Sequence, residues 1–291
     1  MQLTQRDLRL LGHVSRHRFL SSAQLVALDG GSPQNILRCL RTLFDHGYLD
    51  RPKAQLAAVP IEGPQPMVYG LGAKGARTLR EFGNHLAGRG DWTEKNKRTG
   101  LKFLEHTLAI AEFMSGLEVD CMSHPGAKLL REEDILRFAP EATRRAREPL
   151  RWKCETVRNN RREICSVVPD GLFGLRFPDD TAAYFLLEVD RGTIPISRAA
   201  WHKSIEYKLA TYYEGWRAGQ HVEQFGLKQM RVVMVTNSAE RMQNMLATVR
   251  QVTSGRGSAF FLFGTMDKLR ETGPLGHEWT NGRGEMVRLT E

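Results

Sequence analysis

The segment of residues 166–212 constrains the fold of this chain more than any other stretch. Within it, a Pro169-Asp170-Gly171 corner is followed by two apolar runs, residues 172–177 and 182–189. Apolar runs of this length that are bounded by turn residues are typical of buried strands. The segment therefore predicts two neighbouring strands joined by a short turn.

Acidic residues stand at the ends of these two predicted strands. Asp170 precedes the first strand, and the second strand ends in Glu188-Val189-Asp190. The amphipathic segment that follows carries Lys203 and Lys208. Carboxylate oxygens are ligands that Mg²⁺ prefers, and a bound metal ion activates water and polarises a phosphate. Two carboxylates close to a lysine thus point to a metal-dependent site that cuts a phosphodiester.

The same amphipathic segment contains several aromatic residues at helical spacing. They are Trp201, Tyr207, Tyr212, Tyr213 and Trp216. Aromatic side chains with this spacing are typical of a helix face that packs in a core, and we interpret them so. Stacking on nucleic-acid bases is the alternative.

The charge balance of the 291-residue chain favours an anionic partner. Lys and Arg number 42 against 33 Asp and Glu, which gives a net charge of +9, and the pI is about 9.6. Such an excess favours a polyanion, most often nucleic acid. A basic protein without such a partner is the alternative.

The cysteines and the apolar runs argue against several other classes of protein. The four cysteines are scattered without a C-x-x-C pair, which argues against a structural zinc site and a disulfide framework. The first residues lack the charged-then-apolar pattern of a signal peptide, and no apolar run approaches the ~20 residues of a membrane span. We therefore expect a cytoplasmic protein with no membrane segment.

Three helices are predicted at the start of the chain from their end signals. Thr4 precedes the first, and Ser21-Ser22 caps a second over residues 23–28, which Gly30-Gly31 ends. Ser32-Pro33 opens the third, with proline in the first turn. Three short helices with a turn between the second and third form a helix-turn-helix.

A wing is predicted after the third helix. Residues 49–59 and 67–71 are expected to form a two-stranded ribbon, with residues 60–66 as its tip because that stretch holds Gly and three prolines. A fourth helix is expected over residues 73–86. Residues 1–86 thus form one predicted domain.

The first domain resembles winged-helix DNA-binding domains, in which the third helix enters the major groove. The resemblance implies that polar residues on the exposed face of this helix read bases and phosphates. They are Gln34, Asn35, Arg38 and Arg41. Arg51 and Lys53 flank the predicted wing and are candidates for phosphate contacts. A winged helix that binds protein, with solvated surface arginines, is the alternative.

The second predicted domain, residues 100–291, follows a polar linker over residues 87–99. Its pattern alternates helices with strands, which predicts an α/β fold with a mixed sheet flanked by helices. Helices are predicted at residues 101–117, 239–253 and 266–270. Further strands are predicted at residues 128–135, 150–157, 164–168, 231–236 and 259–264. Two basic clusters, a mobile stretch at residues 142–148 and a hairpin turn at residues 158–162, are candidates for tracking a phosphate backbone.

The order of these motifs resembles a known family. The winged helix, the phrase LEHTLAIAEF, and PDG…LEVDRGT…KLATYY together resemble the replication-relaxation family of bacterial plasmids and mobile elements. The helix, P-D-G strand, E-x-D strand and lysine-bearing helix resemble the PD-(D/E)xK nuclease superfamily, which has a restriction-endonuclease-like fold. The resemblance spans residues 1–236.

The resemblance implies a ligand set for Mg²⁺ or Mn²⁺. It places metal-binding carboxylates at Asp170 and Glu188, with the backbone carbonyl of Val189 as a further ligand. A helix glutamate, Glu105 or Glu112, would complete the shell.

One position departs from the superfamily pattern. Asp190 stands where the motif has the lysine that orients water and stabilises charge on the phosphate. Some members of the superfamily carry this lysine on the following helix instead. Lys203 and Lys208 are the candidates, and we favour Lys208 because KLATYY is the closer match to the family. Asp190 is interpreted as a further metal ligand or as the ion-pair partner of Arg191.

Two functions remain open from the sequence. The first is a protein of a plasmid or mobile element that binds double-stranded DNA and nicks or cleaves it as a Mg²⁺- or Mn²⁺-dependent endonuclease. The second is a catalytically inactive nuclease-fold protein that regulates replication or transcription. A third function, a winged-helix ligand sensor whose second domain binds a small molecule, is not favoured, because the sequence has no glycine-rich loop that would cradle a phosphate. Winged-helix proteins often dimerise on DNA, so a homodimer is expected by analogy.

Overall fold

The computed structural model describes residues 2–57, 65–83, 92–158, 161–197 and 201–291. The chain divides into two compact units, Met1–Val119 and Asp120–Glu291. This division lies inside one long helix, Leu101–Ser123. Residues 87–91 of the predicted linker lie outside the described residues, and Trp92–Lys97 is helical. The linker at residues 87–99 therefore stays a prediction.

The first unit combines helices with a small antiparallel sheet. Its helices are α1 (Gln5–His17), α2 (Ser22–Asp29), α3 (Pro33–Asp45), α4 (Ala73–Glu81), α5 (Trp92–Lys97) and most of α6 (Leu101–Ser123). Its strands are β1 (Phe19–Ser21), β2 (Leu49–Asp50) and β3 (Val68–Leu71), in the order β1-β3-β2. Three helices and a sheet with one strand after α1 and two strands after α3 are consistent with a winged helix.

Local capping explains where these helices begin. The Thr4 hydroxyl accepts from the backbone N–H of Asp7, whose carboxylate accepts from the backbone N–H of Thr4. Ser21 and Gln24 make the same reciprocal pair at α2. These two capping boxes satisfy N–H groups that a helix start leaves unpaired. Gly30 ends α2 at a φ of 66°, in the left-handed region that glycine adopts without strain.

The predicted first strand of the wing is wrong beyond its first residues. Lys53–Ala57 is a 3₁₀ helix. The reason is visible at Gln55, whose side-chain amide accepts from the backbone N–H of Val68 at 2.9 Å and donates to its carbonyl at 3.2 Å. At Val68, the side chain of Gln55 therefore makes the two hydrogen bonds that the backbone of a neighbouring strand would otherwise make. The predicted wing tip falls mostly on residues 58–64, outside the described residues.

The second unit is built on a seven-stranded mixed sheet. Its strands run in the order β12-β11-β10-β9-β8-β7-β4, and a separate hairpin pairs β5 with β6. The strands are β4 (Lys128–Leu130), β5 (Trp152–Arg158), β6 (Arg161–Val167), β7 (Gly171–Arg176), β8 (Ala182–Asp190), β9 (Arg231–Thr236), β10 (Phe261–Thr265), β11 (Trp279–Asn281) and β12 (Met286–Val287). The flanking helices are α7 (Glu132–Leu136), α8 (Glu141–Arg145), α9 (Ile205–Arg217), α10 (Gln220–Phe225), α11 (Ala239–Val252) and α12 (Met266–Gly276). The predicted mixed α/β class is confirmed.

The centre of this sheet positions the motif residues. Strands β8, β9 and β10 are parallel, whereas β7 runs antiparallel to β8. The start of β7 therefore lies at the same edge of the sheet as the end of β8. The core beneath is aromatic and aliphatic, and Trp152, Tyr212 and Phe261 are each fully buried.

Two sequence predictions for this unit are wrong. The strand expected over residues 128–135 ends at Leu130, because Glu132–Leu136 is a short helix that Asp134 caps by accepting from the backbone N–H of Arg131. The stretch at residues 142–148, expected to be mobile, contains part of the helix Glu141–Arg145. Buried Thr143 anchors this helix by donating to the carbonyl of Gln224. Among the described residues, no helix is long and apolar enough to cross a membrane.

Candidate functional site

Asp170 is fixed next to Glu188 by the backbone pairing of β7 with β8. The backbone N–H of Asp170 donates to the carbonyl of Leu187 at 2.8 Å. Its carboxylate in turn accepts from the backbone N–H of Val189 at 2.8 Å. Continuing the register of Gly171 with Leu187 sets Asp170 opposite Glu188. The structure thus brings together the two carboxylates that the sequence singled out.

Glu188 is buried and is held by two side chains of α9. It is 2% exposed, and one carboxylate oxygen lies 2.5 Å from Nζ of Lys208. The other oxygen accepts a hydrogen bond from the Tyr212 hydroxyl at 2.6 Å. Lys208 and Tyr212 are four residues apart, so they lie on one face of the helix.

The start of α9 is fixed by its own cap. Ser204 is buried and accepts from the backbone N–H of Tyr207 at 3.1 Å. A Ser or Thr cap contributes about 1 kcal/mol, and this contact helps to set where the helix that carries Lys208 and Tyr212 begins.

The charges at this site are strongly coupled. Burial raises the pKa of Glu188, and the ammonium of Lys208 opposes that rise. Burial tends to lower the pKa of Lys208, but the carboxylates of Glu188 and Asp170 outweigh it and the pKa is raised overall. Burial, and then the charge of Glu188, raise the pKa of Tyr212 well above its ordinary value of 10.0. Lys208 is therefore protonated and Tyr212 is a neutral donor at physiological pH.

Asp190 faces a different cation. Arg241 of α11 binds its carboxylate through two nitrogens, one of them at 2.9 Å. The hydroxyl of Thr236 and the backbone N–H of Gly192 also donate to Asp190, at 3.1 and 3.3 Å. The sequence had suggested metal binding or pairing with Arg191 for this residue. The ion pair with Arg241 occupies both oxygens, so metal binding by Asp190 would require that pair to open.

The remaining candidates for the site lie on other elements. Lys203 is exposed in a 3₁₀ turn, Trp201–Lys203, just before the cap of α9. Glu105 and Glu112 lie on α6 in the first unit, where both line a pocket beside β3. Their assignment as metal ligands stays a prediction.

Two residues of the site were missed by the sequence analysis. The sequence predicts a core position for Tyr212; its ring is buried, but its hydroxyl also bonds Glu188. Its position four residues after Lys208 is a signal from which this contact is inferable. Arg241 lies 51 positions from Asp190, and no local pattern connects the two.

Asp170 and Glu188 are the candidate ligands for a hard divalent ion, and both oxygens of Glu188 also bond Lys208 and Tyr212. Asp170 and Glu188 supply carboxylate oxygens, and Mg²⁺ is commonly held by one or two carboxylates with water and phosphate completing its shell. Within the part of the chain that the structure describes, no group of three or more His, Cys, Asp or Glu side chains is placed to hold a metal ion. The assignment of Mg²⁺ or Mn²⁺ therefore stays a prediction.

Helix α3 presents a polar face in the first unit. Its buried face consists of Ile36, Leu40 and Leu43. The predicted DNA-contacting residues of this helix are all exposed: Gln34, Asn35, Arg38 and Arg41. Asn35 accepts a hydrogen bond from Arg38 at 2.6 Å. Arg41 lies 3.8 Å from Asp45, a pair that solvent screens.

Arg51 and Lys53, the candidates for phosphate contacts beside the predicted wing, differ in environment. The guanidinium of Arg51 packs over the rings of Phe44 and Tyr69, at 4.1 and 5.2 Å, and donates to the Tyr69 hydroxyl at 3.1 Å. Lys53 is exposed at the start of the 3₁₀ helix. Lys53 is therefore the more accessible of the two for a phosphate.

Comparison with known proteins identifies a family. The model of the family described as replication-relaxation matches residues 11–229. No curated protein and no solved structure matches the chain.

Proposed function

The chain belongs to the replication-relaxation family, and we propose that it binds double-stranded DNA of a plasmid or other mobile element and hydrolyses a phosphodiester bond in that DNA. The second unit would carry the hydrolytic site, and the first unit would hold the duplex through its winged helix. The divalent ion would be Mg²⁺ or Mn²⁺.

One observation carries this proposal. The ammonium of Lys208 lies 2.5 Å from the carboxylate of Glu188, next to Asp170. The superfamily motif has lysine at the position of Asp190, and here a lysine of the following helix reaches the same pair of carboxylates. Because the pKa of Lys208 is raised by those carboxylates, the cation is permanent at neutral pH.

Each residue then has a distinct role. Asp170 and Glu188 would hold the metal ion, which when bound supplies polarisation of the phosphate and activation of water. Lys208 would stabilise the charge that develops on the phosphate. Tyr212 would act as a positioning residue, since its hydroxyl fixes one oxygen of Glu188. Arg241 neutralises Asp190 and keeps that third carboxylate from repelling the phosphate.

DNA binding would come from the exposed face of α3. Base edges in the major groove are read by side chains such as Gln34, Asn35 and Arg38, whereas Arg41 and Lys53 would contact phosphates. The net charge of +9 supports a polyanionic partner.

The experiment is DNA cleavage by the full-length chain with Mg²⁺ and with Mn²⁺. The parent is compared with Asp170→Ala and Glu188→Ala on duplex, nicked and single-stranded DNA. We expect cleavage by the parent and none by either variant. Equal activity of all three proteins would refute the site.

A second function is favoured by the contacts of Glu188 and Asp190. Both oxygens of each carboxylate already bond protein groups, namely Lys208, Tyr212 and Arg241. A site closed in this way suits a nuclease fold that serves as a DNA-binding regulator of replication or transcription. Sequence-specific DNA binding without cleavage of any substrate would select this function.

A further inference from the structure

A pocket lies at the end of the seven-stranded sheet that is opposite to Asp170 and Glu188. It has a volume of about 860 Å³ and is lined by residues at the starts of β8, β9 and β10 and at the C-terminal end of α9. This volume is in the range of sites that enclose small organic ligands, roughly 300–1,000 Å³. All of its lining residues belong to the second unit.

This pocket is separate from the carboxylate site. Tyr184 lines the pocket near the start of β8, whereas Glu188 stands near the end of that strand. Four residues of strand span about 13 Å. Along α9, Lys208 and Tyr212 contact Glu188, and Trp216, one turn further, lines the pocket. A single ligand of ordinary size therefore does not fill both places.

Basic side chains surround the pocket. Lys228, Arg231 and Arg283 line it, and none of them forms a salt bridge within the described residues. Arg217 also lines it but lies 3.4 Å from Glu214. Glu291 is the one carboxylate among the described lining residues, and it accepts from the backbone N–H of Arg288 at 3.2 Å. The excess of positive charge favours an anionic ligand.

The walls of the pocket are aromatic as well as basic. Trp216 is half-buried and stacks on Phe260 with ring centroids 5.1 Å apart and planes 19° apart. Tyr184 of β8 also lines the pocket and is half-buried. His221 lines the pocket, is 8% exposed, and its Nδ1 has no hydrogen-bond partner among the described residues. Flat aromatic walls suit a planar ring, and cations together with an imidazole suit phosphate oxygens.

We propose that this pocket binds a nucleoside phosphate. The base would pack against the aromatic wall at Trp216, and the phosphate would lie among Lys228, Arg231 and Arg283. A free nucleotide and the terminal nucleotide of a strand share this chemistry. The inference does not rest on hydrolysis at Asp170 and Glu188, because the pocket uses other residues at the other end of the sheet.

The test is a calorimetric titration of the full-length chain without divalent metal. The probes are AMP, a 5′-phosphorylated trinucleotide and inorganic phosphate. We expect AMP or the trinucleotide to bind, and whichever binds more tightly identifies the source. The variant Lys228→Gln/Arg231→Gln should weaken binding by about tenfold or more, which is about 1.4 kcal/mol. The matched variant Arg270→Gln/Lys153→Gln, which removes two exposed charges of the same unit away from the pocket, should leave affinity unchanged.

A second readout, tryptophan fluorescence, reports on the contact of the base with Trp216 separately from the phosphate contacts. Ligand binding should quench tryptophan fluorescence, and Trp216→Phe should lose that quenching while calorimetric binding remains. Failure of both nucleotides to bind at millimolar concentration would overturn the proposal. So would equal affinity of the Lys228→Gln/Arg231→Gln variant, or inorganic phosphate that binds as tightly as AMP. Repeating the titration with Asp170→Ala separates this result from the hydrolytic function, since that variant should bind normally.

Discussion

Replacing Lys208 by methionine tests the charge coupling at the carboxylate site. The substitution keeps much of the side-chain volume and removes the ammonium that lies 2.5 Å from Glu188. Glu188 is 2% exposed, so the variant leaves a carboxylate buried without its cation. Breaking a buried ion pair in this way costs about 3–5 kcal/mol. Since the side chain of Lys208 is 25% exposed, we expect the lower end, about 3 kcal/mol of unfolding free energy.

The loss of unfolding free energy in Lys208→Met should depend on pH in a defined direction. Burial already raises the pKa of Glu188, and loss of Lys208 removes the charge that opposes this rise. A carboxyl group with a raised folded pKa stabilises the protein below its unfolded pKa, and this stability is lost as pH rises through the folded pKa. The raised pKa of Lys208 keeps its own contribution in the parent constant from pH 5 to 8. The difference between variant and parent should therefore be small near pH 5 and largest near pH 8.

The assay is urea unfolding followed by circular dichroism at both pH values. Lys203→Met is the matched control, because that lysine is exposed, and it should change stability by less than about 0.5 kcal/mol. Adding Glu188→Gln to Lys208→Met removes the unpaired charge and should restore part of the loss. A Lys208→Met variant within 1 kcal/mol (on the order of the assay error) of the parent at pH 8, or with the same loss at both pH values, would refute the reasoning.

Three further predictions concern the neighbouring side chains and the exposed face of α3. Tyr212→Phe removes the hydroxyl that donates to Glu188 at 2.6 Å and should lower the free energy of unfolding in urea by about 1.5–3 kcal/mol. Tyr213→Phe, at the adjacent position, should lower it little. Equal losses of stability in the two variants would contradict the hydrogen bond. Arg241→Met leaves the buried carboxylate of Asp190 without its cation and should lower the free energy of unfolding by about 3 kcal/mol in the same assay. The exposed Arg250→Met on the same helix should change it by almost nothing. A loss of stability no larger than that of Arg250→Met argues against the ion pair. Arg38→Ala/Arg41→Ala should make the plot of log affinity for duplex DNA against log salt less steep, by about 0.9 for each DNA phosphate that these arginines neutralise in the parent. The exposed Arg77→Ala on α4 should leave this slope unchanged. An unaltered slope in the double variant would exclude α3 from the interface.

Local signals explain why parts of the fold were predictable. Thr4, Ser21, Gly30 and Pro33 mark helix ends by interactions within a few residues, so the helices near them were placed correctly. The strands β7, β8 and β9 were also placed correctly, because each is an apolar run bounded by turn residues.

Long-range hydrogen bonds explain two of the failures. Residues 53–57 become a 3₁₀ helix because Gln55 bonds Val68, 13 positions away. Residues 141–145 are ordered because Thr143 bonds Gln224, 81 positions away. The same reason applies to the candidate site, where Asp170, Glu188 and Lys208 were singled out by motif but Arg241 was not. A partner across the fold leaves no pattern in the local sequence.

The proposed function depends most directly on whether Asp170 takes part in hydrolysis. The measurement is the initial rate at which the full-length chain nicks supercoiled plasmid DNA in Mg²⁺, compared with Asp170→Asn. Asp267→Asn is the matched control, because it makes the same change at an exposed aspartate of α12 that pairs with Arg270. Hydrolysis at this site predicts nicking by the parent and the control, and a loss of at least about a hundredfold in Asp170→Asn. Equal nicking rates for the parent and Asp170→Asn would contradict it.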